Sequence, residues 1–301
     1  MRTIAEDLQF PEGPLVLPDG TLVLVEIRRQ TLTHVDRNGR QRVIAKLGGG
    51  PNGAALGPDG AVYVCNNGGF RWRDHEGLSI PGVQADDYSG GRIERVDLDS
   101  GRAEVLYDRV GEHGLRGPND IVFDAHGGFW FTDLGKHRHR DMDNGGIYYA
   151  KADGSSITEV VYPMNRPNGI GLSPDGKTLY VAETQNARVW AWDVTGPGTL
   201  AREPFPSPNG ARLIHTPDSF RMFDSLAVEA NGNVCVATLM EGGISVCAPE
   251  GGLVEFVPFD DPFTTNICFG GDDMQTAYIT LSGTGRLVAV DWPRPGLVLN
   301  A

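Results

Sequence analysis

Apolar and polar positions alternate along this chain in short runs, and the runs recur as a set. Six times an extended apolar run opens on a polar residue. In five of them a turn glycine stands eight positions later: Glu12 with Gly20, Asn52 with Gly60, Asn119 with Gly127, Asn168 with Gly176 and Asp224 with Gly232. Thr265 holds the equivalent place in a sixth copy, where Asp273 replaces the glycine. Period-two alternation of β-branched or aromatic residues with small or polar ones predicts strands. The second strand of each copy is expected at Thr21 to Glu26, Ala61 to Asn66, Gly128 to Asp133, Thr178 to Glu183, Asn233 to Thr238 and Thr276 to Leu281. Pro18-Asp19-Gly20, Pro58-Asp59-Gly60 and Pro174-Asp175-Gly176 make the preceding turns, with proline presetting φ and glycine allowing φ > 0. Third strands follow, as at Arg92 to Asp99, Arg188 to Val194 and Arg286 to Trp292. Most copies then offer a fourth, as at Gln41 to Leu47 and Leu253 to Phe259.

Six consecutive units of about four antiparallel strands cannot each bury both faces alone, and a radial arrangement solves that problem. The expected fold is all-β, a six-bladed β-propeller forming one domain over residues 1–301, with its site at the mouth of the central channel. The sixth copy lacks a strong fourth strand, while Thr3 to Leu8 is a spare strand ahead of the first copy. That strand is expected to join the last blade and close the ring, with Leu297 to Asn300 as the competing segment. Strands reverse at every turn, so the residues opening each first strand share a face with the loops joining strands two and three. Two of those loops are long, Asn67 to Gly90 and Leu134 to Gly145, and long connections in compact bodies are commonly functional. Both should overhang the ring of register residues.

Composition narrows the function classes. An apolar fraction of 40% supports a sizeable core, and 41 glycines with 20 prolines suit many tight turns. A formal net charge of -13 opposes binding to phosphate backbones and anionic lipid, so neither nucleic acid nor membrane is an expected partner. The first residues, MRTIAEDLQF, carry no apolar core or cleavage site of a signal peptide, and no long uncharged apolar run occurs, which leads to a cytoplasmic expectation. Cys65, Cys235, Cys247 and Cys268 lie apart without metal-ligand spacing and are expected as buried thiols; a Cys235–Cys247 pair on adjacent strands is the alternative.

Innermost strands of a propeller meet at its axis, so their first residues converge. Glu12, Asn52, Asn119, Asn168 and Asp224 would present one Glu, one Asp and three Asn there. Oxygen ligands suit a hard divalent cation, with two carboxylates balancing its charge and amide oxygens filling further positions. No histidine or cysteine shares the register, which argues against a dedicated zinc site. Turn chemistry alone accounts for any single Pro-Asn-Gly; a set carrying Glu and Asp at equal register favours the metal.

These residues resemble those of the senescence marker protein (regucalcin) and gluconolactonase family of six-bladed, metal-dependent lactonases. The carriers are Phe10-Pro11-Glu12-Gly13-Pro14, Gly117-Pro118-Asn119-Asp120, Arg166-Pro167-Asn168-Gly169, Phe223-Asp224-Ser225 and Asn266-Ile267-Cys268-Phe269-Gly270-Gly271. The resemblance implies that Glu12, Asn168 and Asp224 are metal ligands, with Asn119 a fourth ligand or a substrate contact. It implies that Asp224 doubles as catalytic base or nucleophile. It also implies a divalent metal, calcium foremost, with zinc, manganese, magnesium and ferrous iron as alternatives. The related diisopropyl fluorophosphatase type uses a similar calcium set, so a phosphotriesterase-like hydrolase is one rival and a non-catalytic propeller scaffold the other. Sugar lactonases of the family usually carry Arg-Phe-Asn-Asp at the third blade; here Gly117 takes the arginine's place and Arg116 stands one position off. The expected substrate is therefore a lactone, either of a sugar or less polar, with Asn119, Arg116, Phe70 and Trp72 as contacts. Phe70 and Trp72 could equally pack the loop onto the body.

Lys136-His137-Arg138-His139-Arg140 is the one dense basic run and is expected as a solvated loop. Asp141, Asp143 and Asn144 lack the glycine spacing and terminal Glu of an EF-hand. Trp192-Asp193 occurs once and without a Gly-His partner, which excludes WD40 repeats. No Gly-x-Ser-x-Gly elbow supports serine hydrolase chemistry.

Overall fold

The computed structural model describes residues 1–300 and contains six radial antiparallel sheets. Blade one is built from Pro11–Val16, Leu22–Glu26, Thr31–Val35 and Gln41–Lys46. Blade two uses Pro51–Leu56, Val62–Asn66, Arg92–Val96 and Ala103–Tyr107, and blade three Pro118–Phe123, Gly128–Asp133, Gly145–Lys151 and Ile157–Met164. Blade four has Pro167–Leu172, Thr178–Glu183 and Arg188–Gly196, with Arg212–His215 on its outer edge. Blade five is Met222–Val228, Val234–Leu239, Gly243–Cys247 and Leu253–Pro258. Blade six takes Thr264–Gly270, Thr276–Leu281 and Arg286–Asp291 from the end of the chain and Arg2–Ala5 from its start. The spare N-terminal strand therefore closes the ring, pairing Arg2 with Ala289 and Thr3 with Val288. Leu297 to Asn300 do not compete for that edge. They cross the channel on the Asp-Gly turn face, where the Leu297 N–H donates to the Val228 carbonyl at 2.9 Å.

The core lies between blades rather than within them. Phe123, Phe129 and Phe131 of blade three interleave with Tyr63 and Ile93 of blade two, and Trp130 meets Trp190 and Trp192 of blade four. The last interface joins Leu287 of blade six to Leu22 and Leu24 of blade one, sealed by Ala5 and Leu8 of the N-terminal segment. Each blade buries both faces only because it has a neighbour on each side, so the ring is stable as a closed whole.

Each first strand carries an irregularity where it opens. The ladder to the second strand shifts register between Glu12 and Leu15, Pro51 and Ala54, Pro118 and Ile121, Pro167 and Ile170, Phe223 and Leu226, and Thr264 and Asn266. A bulge re-aims side chains locally, and here it falls on the register residue in every blade. The following residue is glycine in three blades, because the inner strands touch there. A Cβ on Gly53 would lie 2.3 Å from the Asn119 carbonyl oxygen, and one on Gly169 2.7 Å from that of Asp224.

Other expectations are corrected. Asn67 to Gly90 is not an irregular loop: it contains a hairpin of Phe70–His75 and Leu78–Gln84. Cys235 pairs with Val246 and Cys247 with Val234, so one register step puts the two thiols on opposite faces of the blade and in different interfaces. All four cysteines are free. No helix among the described residues is long and apolar enough to cross a membrane.

Deleting residues 1–8 removes the closing strand and takes Leu8 from its interface, a loss comparable to a core Leu→Ala change of about 2–5 kcal/mol. Thermal unfolding of the shortened protein should come down by at least roughly 5 °C. An unchanged midpoint would mean that the strand adds nothing to closure.

Candidate metal and active site

Glu12, Asn119, Asn168 and Asp224 open the first strands of blades one, three, four and five, and the propeller brings those strands together at its axis. Glu12, Asn119 and Asn168 are buried, and so are the neighbouring Asn52 and Thr265 of blades two and six. The Glu12 carboxylate accepts the Gly13 N–H and the Asn266 amide Nδ2, each at 2.7 Å. Asn168 turns its Nδ2 to Thr184 Oγ1 at 3.1 Å, which leaves its Oδ1 buried without a partner. Asn119 Oδ1 is likewise buried and unpartnered. Among the described residues neither Glu12 nor Asp224 forms an ion pair at contact distance.

This set consists of acceptors. A buried acceptor left unsatisfied costs about 1–3 kcal/mol, and an uncompensated buried carboxylate costs more. Burial pushes the Glu12 carboxyl up to about 7, and burial together with the Glu12 charge pushes Asp224 well above the ordinary carboxylate range. Two carboxylates and two unpartnered amide oxygens converge at the axis, and the side-chain donors that reach the carboxylates are neutral amides, Asn266 on Glu12 and Asn168 on Asp224; such an oxygen set fits a hard divalent cation. A zinc site of nitrogen and sulfur ligands is not what these residues make, since no histidine or cysteine is among them.

Three residues near this set escaped the sequence reading of single positions. Asp120 is buried, and burial, with the Glu12 charge next, raises its carboxyl to about 8. Its sequence signal was present: it stands one place beyond the register, where Gly13, Gly53 and Gly169 occur, so an acid occupies a glycine column. Asn266, which holds Glu12, belongs to the same column. Arg166 stands two places before Asn168 with a left-handed φ of 50°. Its Nε and Nη1 are buried without hydrogen-bond partners, and the Asp224 carboxylate lies within electrostatic reach.

The long second-blade hairpin crosses this mouth. The Ser79 N–H donates to the Gly283 carbonyl of blade six at 2.8 Å, Arg28 of blade one pairs with Asp74 and donates to Ser79 Oγ, and Gln84 N–H reaches the His137 carbonyl at 2.8 Å. Trp72 packs on Phe10 with ring centroids 5.1 Å apart, so it pins the hairpin to the body; Phe70 lies against Trp72 at 6.3 Å and against the Lys136 ammonium at 4.0 Å. Lys136 is thus not solvated, contrary to the reading of the basic run: its side chain is 1% exposed. Arg138 of the same run pairs with Asp141 and Asp143. Arg116 is exposed, and its carbonyl accepts the Tyr88 hydroxyl at 2.7 Å. A cavity of about 500 Å³ opens on the opposite, Asp-Gly turn face; its walls are largely aliphatic, its inner end is Asp120 and Asn266, and Leu297 to Asn300 line its mouth. None of the four axial residues above lines it.

Comparison with known proteins agrees with this architecture. A family described as the SMP-30/gluconolactonase/LRE-like region matches residues 10–283. Lactonase drp35 of Staphylococcus saprophyticus is 28% identical over 243 residues, covering 80% of this chain and 67% of that protein. Gluconolactonase of Zymomonas mobilis is 25% identical over 313 residues, covering 94% and 79%. Among solved structures, a Xanthomonas campestris gluconolactonase superimposes with a TM-score of 0.75 at 23% identity, over 97% of this chain and 89% of that one. A calcium-binding protein, regucalcin, of Agrobacterium tumefaciens gives 0.72 at 19%, over 99% and 97%. The structural likenesses establish the fold.

The raised carboxyls set a pH dependence. Folded, metal-free protein keeps protons on Glu12 and Asp120 that the unfolded chain releases in the ordinary carboxylate range, so their contribution to stability is fully present at low pH and is lost as pH rises through about 7 and about 8. In chelator, the unfolding midpoint should fall between about pH 5 and about pH 8. Millimolar calcium should raise it at the upper pH and have little effect at the lower. Absence of any divalent-cation effect near pH 8 would show that the acceptors hold no metal.

Proposed function

The chain belongs to the SMP-30/gluconolactonase/LRE-like family, and from that premise we propose that it is a lactonase, a metal-dependent hydrolase that opens a lactone ring to a hydroxy acid. The observation that carries the reading is the pair of buried, unpartnered amide oxygens, Asn119 Oδ1 and Asn168 Oδ1, at the axis beside the Glu12 and Asp224 carboxylates. The names of the sequence relatives, lactonase and gluconolactonase, support the reaction class. Residues 1–301 would act as one catalytic body on a small-molecule lactone.

Glu12, Asn119, Asn168 and Asp224 would hold the cation, calcium foremost, as the hard oxygen donors favour. When bound, a divalent cation supplies a Lewis acid that polarises the lactone carbonyl. Asp224 is the base in this proposal. One of its carboxylate oxygens takes the proton of the water that attacks the carbonyl carbon, and the same proton can pass to the ring oxygen as the ring C–O bond breaks. The product is a carboxylate with a free hydroxyl, and no other co-reactant is needed. Glu12 is held in place by Asn266 and the Gly13 N–H, which fixes one wall of the site. Asn119 serves as ligand or substrate contact. In this reading the hairpin would exclude bulk water, with Phe70, Trp72 and Arg116 as further substrate contacts.

Asp224→Asn retains an oxygen ligand and removes the proton acceptor. Lactone hydrolysis should fall by about a hundredfold or more, and saturating metal should not restore it. Glu12→Gln should instead raise the metal concentration needed, with activity partly recovered at high metal. A pH-stat screen of sugar, aliphatic and aromatic lactones, with a phosphotriester beside them, reads both variants. Turnover of the phosphotriester alone would replace the reading with the phosphotriesterase-like one, and near-parental lactone rates in metal-loaded Asp224→Asn would remove Asp224 as the base.

A further inference from the structure

The acceptor set at the axis has a counterpart made of donors. Arg166 offers Nε and Nη1, both buried and unpartnered, and Asn67 offers a buried, unpartnered Nδ2. Lys136 lies between the hairpin and blade three, donating only to neutral oxygens: Asn67 Oδ1 at 3.2 Å and Gly69 O at 2.9 Å. An ammonium has three donors, so one remains. The Lys136 and Arg166 charges lie within reach of each other, and among the described residues neither makes an ion pair. The nearby acids are committed elsewhere. Asp133 accepts the N–H groups of Arg116, Gly117 and Gly135 at 2.7, 2.7 and 2.8 Å, and Asp143 is clamped by Arg138. Asp224, also within electrostatic reach of Arg166, belongs to the acceptor set.

Lys136, held by two neutral oxygens and the Phe70 ring, and Arg166, with two bare buried nitrogens, both lack an anionic partner, which is a structural liability unless something negative meets them. All three residues sit on the hairpin face: Asn67 and Lys136 begin the loops after second strands, and Arg166 precedes the first strand of blade four. Arg166 is further held in a left-handed backbone conformation, a type of strain that collects at ligand clamps. We propose that Arg166, with Lys136 and Asn67, forms an anion subsite beside the axial oxygens, and that the substrate is a lactone bearing a carboxylate on its ring. This deepens the lactonase reading and rests on it for the word lactone. The donors would take the carboxylate while the axial oxygens face the ester, which fixes the ring in one orientation. Arg166 is a specificity-determining residue in this arrangement, and its guanidinium can give a carboxylate two parallel N–H bonds through Nη2 together with either Nε or Nη1.

The test uses a pair of lactones that differ in one ring substituent, 5-oxotetrahydrofuran-2-carboxylate and γ-valerolactone, and their products, 2-hydroxyglutarate and 4-hydroxypentanoate. The parent should prefer the carboxylated lactone in kcat/KM by about tenfold or more, the scale of a charge-assisted contact. Arg166→Met should abolish the preference and Arg166→Lys should restore part of it. Calorimetry should show the parent binding 2-hydroxyglutarate more tightly than 4-hydroxypentanoate, with that difference lost in Arg166→Met. Because the guanidinium has no partner in the ligand-free protein, its removal should leave the unfolding midpoint unchanged or higher. A specificity ratio equal in parent and Arg166→Met overturns the subsite, as does a lowered midpoint, which would make Arg166 structural. Hydrolysis of γ-valerolactone without preference sinks the subsite and leaves the lactonase intact. Selective 2-hydroxyglutarate binding without hydrolysis of either lactone supports the subsite and sinks the lactonase.

Discussion

Like charge buried at the axis is the constraint on which the rest of this structure turns. Glu12, Asp120 and Asp224 come from three blades; burial raises the proton affinity of each, and the Glu12 charge raises that of Asp120 and Asp224 further. Nothing in a propeller requires acids there, and a ring of apolar or amide side chains would close at lower cost. The fold can hold them because its stability comes from elsewhere. Interfaces such as Trp130 with Trp192 and Tyr63 with Phe129 bury large aromatic surfaces between blades, well outside the axis.

Closure of the ring also explains how a side chain is placed with so little secondary structure of its own. The bulge at each opening strand turns the register residue, and the next position is constrained by contact with the neighbouring strand. Gly13, Gly53 and Gly169 fill that position where backbones meet; Asp120, Ser225 and Asn266 fill it in the other blades. Blades one, two and four thereby pack closely on the blade that follows, and in blades three, five and six the same position carries a polar side chain. Asn266 uses its place to hold Glu12.

Much of this was legible in the sequence because it was periodic. The spacing from Glu12 to Gly20 and its repeats fixed blade number, strand order and the shared face of the register residues, and the spare N-terminal strand closed the ring at Arg2 and Ala289. What was not legible depends on pairing across the sequence. The basic run read as solvated because charge runs usually are, yet Lys136 is covered by Phe70 from a segment whose own conformation, a hairpin, gave no strong periodic signal. Cys235 and Cys247 looked opposed by proximity, and a one-residue register step, invisible in sequence, parts them. Arg166 was quoted with the Pro-Asn-Gly that follows it. Only the absence of any partner for its buried nitrogens distinguishes it from a surface arginine.

The two ends of the channel are unequal, and that asymmetry directs how a ligand reaches the axis. On the turn face, Leu297 to Asn300 lie across a largely aliphatic cavity, anchored by backbone bonds to blade five. On the other face the cover is the hairpin, with the third-blade loop of Lys136 and His137 against it. It is tied to blades one, three and six by a few polar contacts and by Trp72 on Phe10. A polar ligand entering from the turn face would cross aliphatic walls and meet Asp120 before any donor. Under the proposed subsite, entry beneath the hairpin would instead bring it to the donors of Arg166 and Lys136 and then to Asp224 and the amide oxygens, which offer acceptors. The order of charge along that path, positive and then negative, matches a molecule with an anionic end and an electrophilic carbon, and it gives the hairpin face its chemical direction.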